Sequence, residues 1–474
     1  MSSEPTILVD GRPISLASVD PHQPLLHFLR ERGLTGTKEG CAEGECGACA
    51  VVVVTPEGES SRFVTVNSCL VPAVGLAGRE VITVQGLAEG EALHPVQAAM
   101  VETGGSQCGY CTPGFVMSLF AEHYREGRVP GEVWDEAIGG NLCRCTGYRP
   151  IKDALASLPA PGDDRHKRRL AQVTPAPAAV QHVATLEDGS EVRFHRPTTL
   201  EALFAILAAE PEAKLVGGGT DVFVEVNQLD RRWPVLVSLD SIAELRGIRE
   251  DDAALTIGAG VPLSRIEDEL GETVPMFGEL FPLFSSRLIR NRATLGGNLV
   301  NASPIGDSPP ALLALDAVLV LASAEGTREL PLSEFFLDYR KTALAAGEIV
   351  AAVKVPKPFP DVQRFYKVSK RIMDDISTVA AGFAFWRDAD GVITKARLAY
   401  GGVAATPARA TAAEDVLEGH PFDAMAVVRA STHLGTAFTP MTDHRGSARY
   451  REAMVTRLLE KLHADLSPRS EAAE

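Results

Sequence analysis

Cysteine is the residue type whose spacing carries chemistry in this chain. All eight cysteines precede residue 146 and form a first set, Cys41, Cys46, Cys49 and Cys69, and a second set, Cys108, Cys111, Cys143 and Cys145. The first set has the C-x4-C-x2-C spacing plus a distant cysteine that is typical of a plant-type 2Fe-2S loop. The second set joins a C-x2-C to a later C-x-C. Two thiolate sets that each hold an iron–sulfur cluster indicate an electron relay.

The glycines in the first set support iron over other uses of cysteine. Gly40, Gly44 and Gly47 let the backbone pass close to a di-iron core and turn N–H groups toward the sulfurs, where hydrogen bonds help to set the reduction potential. A zinc ribbon requires two short cysteine pairs, which this set lacks, and a disulfide framework is the other alternative. The second set by itself also suits zinc, and its neighbourhood to the first set favours iron.

Both cysteine pairs of the second set stand just ahead of predicted helices. Thr112 is a candidate N-cap with Pro113 at the first helical position, and Thr146 and Pro150 precede a second apolar pattern. Helix N-termini carry unpaired N–H groups and a positive dipole end, so both positions favour an anionic cluster.

Composition limits the classes of function. The chain has 474 residues, 45% of them hydrophobic, which predicts a globular protein of about three domains. Its net charge of −16 argues against nucleic acid or an anionic membrane as partner. The first five residues do not resemble a signal peptide and no apolar stretch reaches membrane-spanning length, so we expect a cytoplasmic protein with metal-bound thiols. The eleven histidines show no ligand-like pattern and are expected to be structural or exposed.

The first 190 residues show three successive sequence patterns. A hairpin with an Asp10-Gly11 turn, a helix over 24–32 and strands over 51–54, 63–66 and 81–84 predict a small β-grasp domain. Residues 94–158 follow a helical pattern. Residues 159–183 contain four prolines and the basic run 165–169 without an apolar period, so they are predicted to be a linker whose basic run is solvated or lies on an acidic surface.

Two glycine-rich segments follow the linker. A predicted buried strand over 214–216 leads into Gly217, Gly218 and Gly219, and a second loop runs from Thr294 to Asp307. One such turn is more often only a turn, whereas two loops suit a diphosphate. Neither segment fits the G-x-G-x-x-G pattern of a Rossmann dinucleotide site.

Ordered motifs along the chain resemble those of the molybdenum hydroxylases. The iron–sulfur motifs are TGTKEGC (35–41), SQCGYCTPG (106–114) and GNLCRCTGY (140–148). LVGGGTD (215–221) and TLGGNLVNASPIGD (294–307) are similar to the flavin-diphosphate segments of that family. YKVSKR with DDI (366–376) and FTP with Ser447–Arg451 match its C-terminal region. The strongest likeness is to the small iron–sulfur/FAD subunits of bacterial xanthine dehydrogenases.

This resemblance implies an α+β multidomain fold. The expected parts are a β-grasp 2Fe-2S ferredoxin-like domain (1–86), a helical 2Fe-2S domain (87–158) and the linker (159–190). They are followed by an FAD domain of the vanillyl-alcohol-oxidase-like (PCMH-type) fold (191–360), an α+β C-terminal domain like that of the CO dehydrogenase flavoprotein (361–467) and a disordered tail (468–474).

The resemblance also implies cofactors, partners and contacts. A separate large subunit would carry molybdopterin in a heterotetramer with two copies of each chain, and Gln107 would lie beside the pterin. Electrons from xanthine would pass through the second set, the first set and FAD to NAD, with no catalytic acid, base or nucleophile on this chain. The implied flavin contacts are Lys214, Leu215, Val216, Gly217, Gly218, Gly219, Thr220, Asp221, Val222, Phe284, Thr294, Gly297, Asn298, Asp307, Ile349 and Lys367.

Other interpretations stay open at this point. Phe284 could be ordinary core, Ile349 only a strand residue, and Lys367 part of a solvated charged stretch. The partner could oxidise an aldehyde or a heteroaromatic compound instead of xanthine. The chain could also be a self-contained NADH diaphorase or a redox sensor. All cysteines are assigned to clusters, which leaves no thiol switch toward dioxygen and favours NAD as acceptor.

Overall fold

The computed structural model describes residues 4–186 and 188–467, so the predicted tail at 468–474 lies outside the described residues. The chain divides into two compact units. The first comprises Met1–Ala243 and Ser286–Ala293, and the second comprises Glu244–Ser285 and Thr294–Glu474. Each unit is described by itself below.

The first unit begins with the predicted β-grasp domain. Its five-stranded sheet has the spatial order Arg12–Ser15, Thr6–Val9, Glu80–Ile82, Ala50–Glu57 and Ser60–Asn67, and the helix Leu25–Glu31 packs against it. Asp10 and Gly11 have φ of 49° and 78°, which confirms the two-residue hairpin turn. Phe28 and Leu29 of the helix share a core with Val51 and Val53, so the helix positions the loop that carries the first cysteine set.

A helical domain follows, with a core of Phe115, Phe120, Ile151 and Leu155. Its helices are Pro95–Glu102, Thr112–His123, Glu136–Gly139 and Arg149–Ser157. The second of these helices is capped by Cys111, so the prediction of Thr112 as N-cap is wrong. The Thr112 hydroxyl instead bonds Ser106 Oγ at 2.8 Å. The prediction that both cysteine pairs precede helix starts is confirmed.

The segment predicted as a linker contains regular structure. A helix spans Arg165–Leu170, capped by the Asp164 carboxylate, and the strand Val180–Thr185 already belongs to the next sheet. Arg165 donates to the carbonyl oxygens of Gly86 and Leu87, so the basic run lies on the preceding domains. The prolines around this helix led to the prediction of a linker. The helix has no apolar period in its sequence because long-range contacts stabilise it.

The first unit ends with a four-stranded sheet. The strands lie in the order Val180–Thr185, Glu191–Arg196, Val235–Ser238 and Lys214–Val216. The helices of this part are Leu200–Ala209, Val222–Leu229 and Arg287–Arg290.

The second unit contains two main sheets and a two-stranded ribbon. The five-stranded sheet has the order Ile248–Glu250, Ala254–Gly258, Ile349–Pro356, Val318–Ser323 and Gly326–Pro331. The ribbon joins Phe336–Asp338 to Lys341–Thr342. The antiparallel C-terminal sheet runs through Val362–Val368, Val379–Arg387, Ile393–Gly401 and Ala408–Arg409. The helices are Leu263–Leu270, Pro275–Leu280, Leu295–Val300, Ser308–Ala314, Thr411–Asp415, Ala424–Leu434 and Ala448–Leu466.

Short 3-10 turns complete the fold at Ser68–Leu70, Val74–Leu76, Val84–Gly86, Ala243–Leu245, Phe281–Leu283 and Leu332–Glu334. Within residues 4–186 and 188–467, we find no helix with the length and apolar character needed to cross a bilayer.

Candidate cofactor sites

The first cysteine set is arranged as two pairs of thiols. Cys49 Sγ and Cys69 Sγ lie 3.4 Å apart, and each residue is 2% exposed. In the other pair, Cys41 N–H donates to Cys46 Sγ at 3.3 Å and Cys46 N–H donates to Cys41 Sγ at 3.4 Å. These contacts match the expectation that backbone N–H groups point at the sulfurs.

Positive backbone dihedrals wrap the loop around these thiols. Ala42, Gly44 and Gly47 have φ of 56°, 89° and 64°. A Cβ atom on Gly40 would lie 2.6 Å from Cys46 Sγ, inside the closest permitted contact. Glycine is therefore required at position 40 by space and at positions 44 and 47 by conformation.

In each pair, the hydrogen bond between the two thiols shifts their pKa values in opposite directions. The bond from Cys46 lowers the pKa of Cys41 to about 5, and the same bond raises the pKa of Cys46. The bond with Cys69 likewise lowers the pKa of Cys49, and it raises the pKa of Cys69 together with burial. In each pair the hydrogen bond therefore favours the thiolate on one cysteine and the thiol on its neighbour.

The second set repeats this pairing in a more open setting. Cys108 and Cys145 are exposed and hydrogen-bonded to each other, while Cys111 and Cys143 form a half-buried pair. Burial, followed by the bond with Cys143, raises the pKa of Cys111 to about 12. Cys143 N–H donates to the Tyr148 hydroxyl at 2.9 Å, which fixes the start of the last helix against the set.

The thiol pairs match the donor arrangement of a 2Fe-2S cluster. Each set consists of two pairs, Cys41 with Cys46 and Cys49 with Cys69 in the first, and Cys108 with Cys145 and Cys111 with Cys143 in the second. A 2Fe-2S cluster takes two thiolates on each of its two irons. The donor sets therefore fit 2Fe-2S clusters.

The two cysteine sets are joined by direct contacts. Leu142 N–H, one residue before Cys143, donates to Cys46 C=O at 3.0 Å. Asn141 Nδ2 donates to Gly47 C=O at 3.1 Å, and a Cβ on Gly114 would lie 2.1 Å from that same oxygen. Asn141 and Gly114 belong to the iron–sulfur motifs of the sequence, but the motifs did not predict this role for them. These residues bring the ligand loop of one set against that of the other.

The first glycine segment is built as a close backbone approach. Of the strand Lys214–Val216 only Val216 is buried, so the prediction of a buried strand holds for its last residue alone. A Cβ on Gly218 would lie 1.9 Å from Arg292 C=O, and one on Gly219, at φ 86°, would lie 2.7 Å from Leu70 C=O. The loop therefore has room only for bare backbone, as a diphosphate cradle requires.

A buried ion network that the sequence did not reveal supports this loop. Asp240 Oδ2 accepts from Arg79 at 3.1 Å and from Arg292 at 3.5 Å, and Arg292 Nε donates to Gly218 C=O at 3.2 Å. Burial opposes ionisation of Asp240, but the two guanidinium groups hold the pKa of its carboxyl group below the ordinary value. Arg196, only 1% exposed, donates to the Gly75 and Ala77 carbonyl groups nearby.

The second glycine segment lies in the second unit and is partly helical. Thr294 caps the helix Leu295–Val300, and its hydroxyl accepts from Gly297 N–H at 3.1 Å. The prediction of a continuous loop is therefore wrong for 295–300, because the Thr294 cap satisfies the first helical turn. Asn298 Oδ1 accepts from the Ser308 hydroxyl, which ties the helix to its successor.

Lys367 is buried rather than solvated. Its side chain is 2% exposed, and Nζ donates to Asp307 Oδ2 and to Leu283 C=O, both at 2.8 Å. Phe284, next to Leu283, is half-buried, so it is not ordinary core. Ile349 is 4% exposed and begins the strand Ile349–Pro356.

The remaining predicted site residues separate by unit. Lys214–Val222 lies in the first unit, and the other predicted flavin contacts lie in the second. Gln107 is exposed beside Cys108 in the first unit.

Three histidines pack together in the helical domain, apart from both cysteine sets. The His94 ring lies 5.8 Å from that of His123 and 5.5 Å from that of His166, centroid to centroid. His94 Nδ1 accepts from Val96 N–H, and its Nε2 bonds the Tyr124 hydroxyl. Burial lowers the pKa of all three imidazoles to about 4.

Four domain models match the chain in order. They are the 2Fe-2S iron-sulfur cluster binding domain (7–74), the 2Fe-2S binding domain (83–156), the FAD binding domain in molybdopterin dehydrogenase (190–358) and the CO dehydrogenase flavoprotein C-terminal domain (364–466).

The chain is also similar to part of several curated proteins. A xanthine dehydrogenase of Emericella nidulans is 34% identical over 87% of this chain and 35% of its own length. Xanthine dehydrogenase 2 of Arabidopsis thaliana is 33% identical over 84% of this chain and 35% of its own length. The chain thus spans about a third of the length of the curated relatives it matches.

Solved structures match a little over half of the chain. A carbon monoxide dehydrogenase from Hydrogenophaga pseudoflava matches with TM-score 0.54 and 28% identity, over 56% of this chain and 94% of the other. Quinoline 2-oxidoreductase from Pseudomonas putida 86 matches with TM-score 0.54 and 25% identity, over 57% of this chain and 95% of the other. Taken with the four domain models, these similarities identify the chain as the iron–sulfur and FAD domains of a molybdenum hydroxylase.

Proposed function

We propose that this chain is the electron-transfer subunit of a xanthine dehydrogenase, equivalent to the small subunit of the bacterial enzymes. The overall reaction would be xanthine + NAD⁺ + H₂O → urate + NADH + H⁺, with xanthine oxidised at a molybdenum cofactor on a large partner subunit in a 2+2 heterotetramer. When bound, the clusters carry one electron each, and FAD accepts single electrons and releases a hydride to NAD.

The contact between the two cysteine sets carries this proposal. The Leu142 N–H bond to Cys46 C=O joins the ligand loops directly, and Leu70, next to ligand Cys69, touches Gly219 of the first glycine segment. The chain's own residues thus form a continuous series from the exposed second set through the buried first set to the flavin loop. A redox sensor would not require this series.

We propose the following roles for individual residues. The eight cysteines hold the two clusters, and the sixteen predicted flavin contacts hold FAD: bare backbone at 217–219 for the diphosphate, and Phe284 and Lys367 near the ring. The burial of Lys367 against Asp307 supports a fixed cation there rather than a solvated side chain. The domain bounds proposed above, 1–86, 87–158, 191–360 and 361–467, stand beside the ranges of the four domain models.

The exposed side of the second set supports a partner chain. Cys108 and Cys145 are open to solvent, as is Gln107, and Tyr110 and Leu142 beside them are 52% and 41% exposed. A cluster that received electrons only from within this chain would gain nothing from such exposure. We also propose a cytoplasmic location, because thiols held as metal ligands rather than as disulfides are consistent with a reducing compartment.

The native complex tests the proposal. We expect a tagged chain purified from its host to carry about four iron atoms and one flavin, without zinc, and to bring down a molybdenum-containing polypeptide. Xanthine should then reduce NAD under anaerobic conditions. Molybdenum with activity only on an aldehyde or a heteroaromatic compound would contradict the substrate, and a molybdenum-free chain that oxidises NADH would favour a diaphorase. Zinc in either cysteine set would overturn the relay.

A further inference from the structure

The helix Val222–Leu229 connects the flavin loop to the first cysteine set. It begins three residues after Gly219, and Asn227 near its far end reaches the ligand loop at Ala42. Asn227 Nδ2 donates to Ala42 C=O and to Cys69 C=O, both at 2.9 Å. Gln228 Nε2 donates to Cys41 C=O at 2.8 Å.

These bonds reach one ligand from each thiol pair. Cys41 is paired with Cys46, and Cys69 with Cys49, so the helix holds the backbone of a ligand for each proposed iron. Phe223 and Val226 of the same helix pack with Cys49, Cys69 and Leu70 in one apolar cluster. The amide of Asn227 is therefore held in place by packing, not only by its own hydrogen bonds.

The start of the helix is fixed just as closely. Gly219 at φ 86° rests against Leu70 C=O, one residue beyond Cys69. The segment from Gly219 to Gln228 thus contacts the surroundings of the first cysteine set at two points, at Leu70 beside Cys69 and at the carbonyl groups of the ligand residues, which sets the separation between that set and the flavin loop.

We propose that Asn227 is a positioning residue for electron transfer between the first cluster and the flavin. Its carboxamide fixes the peptide groups of Ala42 and Cys69, and through them the position of the ligand residues relative to the flavin loop. The inference rests on the proposed function. Partners of metal ligands commonly change metal affinity or activity by about 10- to 100-fold when they are removed.

The test uses the full chain loaded with iron and flavin. Iron and flavin are assayed first, and a wild-type chain lacking either one overturns the proposed function, not this inference. The first cluster is then reduced by a photoexcited one-electron donor, and its reoxidation by flavin in the same chain is followed by absorbance. We expect Asn227→Ala to slow this step about tenfold and Asn227→Asp to slow it at least as much, because a carboxylate would repel both carbonyl groups.

A matched control separates positioning from folding. Asn291 Nδ2 donates to Thr65 C=O at 2.9 Å, the same amide-to-carbonyl bond onto the same domain but onto no ligand residue. Asn291→Ala should leave the rate unchanged.

Asn227→Ala should also speed iron loss to a chelator from the first set only and alter that cluster's EPR line shape. Should Asn227→Ala fail to fold, Gln228→Ala at the exposed neighbour must give a smaller slowing of the same sign. Wild-type rates in the Asn227 or Gln228 variants, or equal slowing in Asn291→Ala, would overturn the inference.

Discussion

The two cysteine sets each provide four thiols for a cluster, but they differ in the solvent exposure of those thiols. In the first set Cys49 and Cys69 are each 2% exposed, and the loop around them has three residues with positive φ. In the second set Cys108 and Cys145 are exposed, and both pairs precede helix starts, with glycine turns at Gly109 and Gly147 (φ of 84° and 68°). Glycine turns are therefore common to the two sets, and the exposure of the thiols is what distinguishes them.

This difference bears on the proposed relay. With two exposed cysteines, the second set would exchange electrons with the proposed partner chain, whereas the first set, in which Cys49 and Cys69 are buried and Cys41 and Cys46 are partly buried, would exchange them with the flavin. Hydrogen bonds and solvent exposure both tune cluster potentials, so the two sets should also differ in potential.

The largest expected contrast comes from removing one ligand in each set. Cys69→Ser and Cys145→Ser should each lower the iron content from about four to about two atoms per chain. Only Cys69→Ser should also lower the melting temperature strongly, because a serine hydroxyl in the apolar cluster of Leu26, Phe223 and Val226 costs about 1–3 kcal/mol. Iron analysis and calorimetry measure both effects. Equal melting temperatures for the two variants would contradict the contrast in burial.

We expect acid to destabilise the helical domain, which carries the second cysteine set, before the β-grasp domain. The pKa of His94, His123 and His166 is about 4 in the fold against about 6.5 when unfolded, so the fold favours the neutral imidazoles. Their contribution to stability is complete above pH 6.5 and falls between pH 6.5 and 4, by about 1.4 kcal/mol per pH unit for each imidazole.

Thermal unfolding of the full chain at pH 7 and pH 5 measures this loss. His123→Phe keeps a ring in the same place and should reduce the difference between the two pH values. The matched variant at an exposed imidazole is His27→Phe, at 43% side-chain exposure, and it should leave the difference as in the wild type. An unchanged difference in His123→Phe would show that the acid sensitivity lies elsewhere.

Asn141→Ala should loosen the contact between the two sets. Asn141 is 2% exposed, donates to Gly47 C=O and accepts from the Ser118 hydroxyl at 2.7 Å. Loss of both bonds at a buried site should cost about 2 kcal/mol. Ser118→Ala removes one of the bonds and should cost about half as much, and a double-mutant cycle gives the coupling. Purely additive costs would mean that the two side chains do not act as one clamp.

Residue spacing predicted the structural features that depend on residues near one another in the sequence. Cysteine intervals gave both ligand sets, Asp10-Gly11 gave the hairpin, and the glycines around Cys46 gave the tight loop. Most of these features depend on residues close in sequence, where dihedral preferences and ligand geometry decide the structure. The pairing of Cys49 with Cys69 and the two pairs of the second set span longer intervals.

Long-range contacts could not be predicted in this way. Arg79 and Asp240 are 161 positions apart, and nothing in either neighbourhood distinguishes them from solvated charges. Lys367 similarly stands in a charged stretch that suggests solvent, yet its partner Asp307 lies 60 positions earlier. The flavin assignments depended on family resemblance because the tertiary fold, not the local sequence, brings such groups together.

The smallest expected effect isolates the second set. The Tyr148 hydroxyl accepts from Cys143 N–H at 2.9 Å, while its ring packs 6.1 Å from Phe115, centroid to centroid. Tyr148→Phe keeps the ring and removes the acceptor, so stability should fall by only about 1 kcal/mol. Removing this acceptor changes the hydrogen bonding at a ligand residue, and hydrogen bonds around the ligands tune the cluster potential. An EPR-monitored redox titration should therefore show a shifted potential for the second cluster and an unchanged first cluster. Equal shifts in both clusters would mean that the ligand loops respond as one unit, and the contrast between them would then lie in exposure alone.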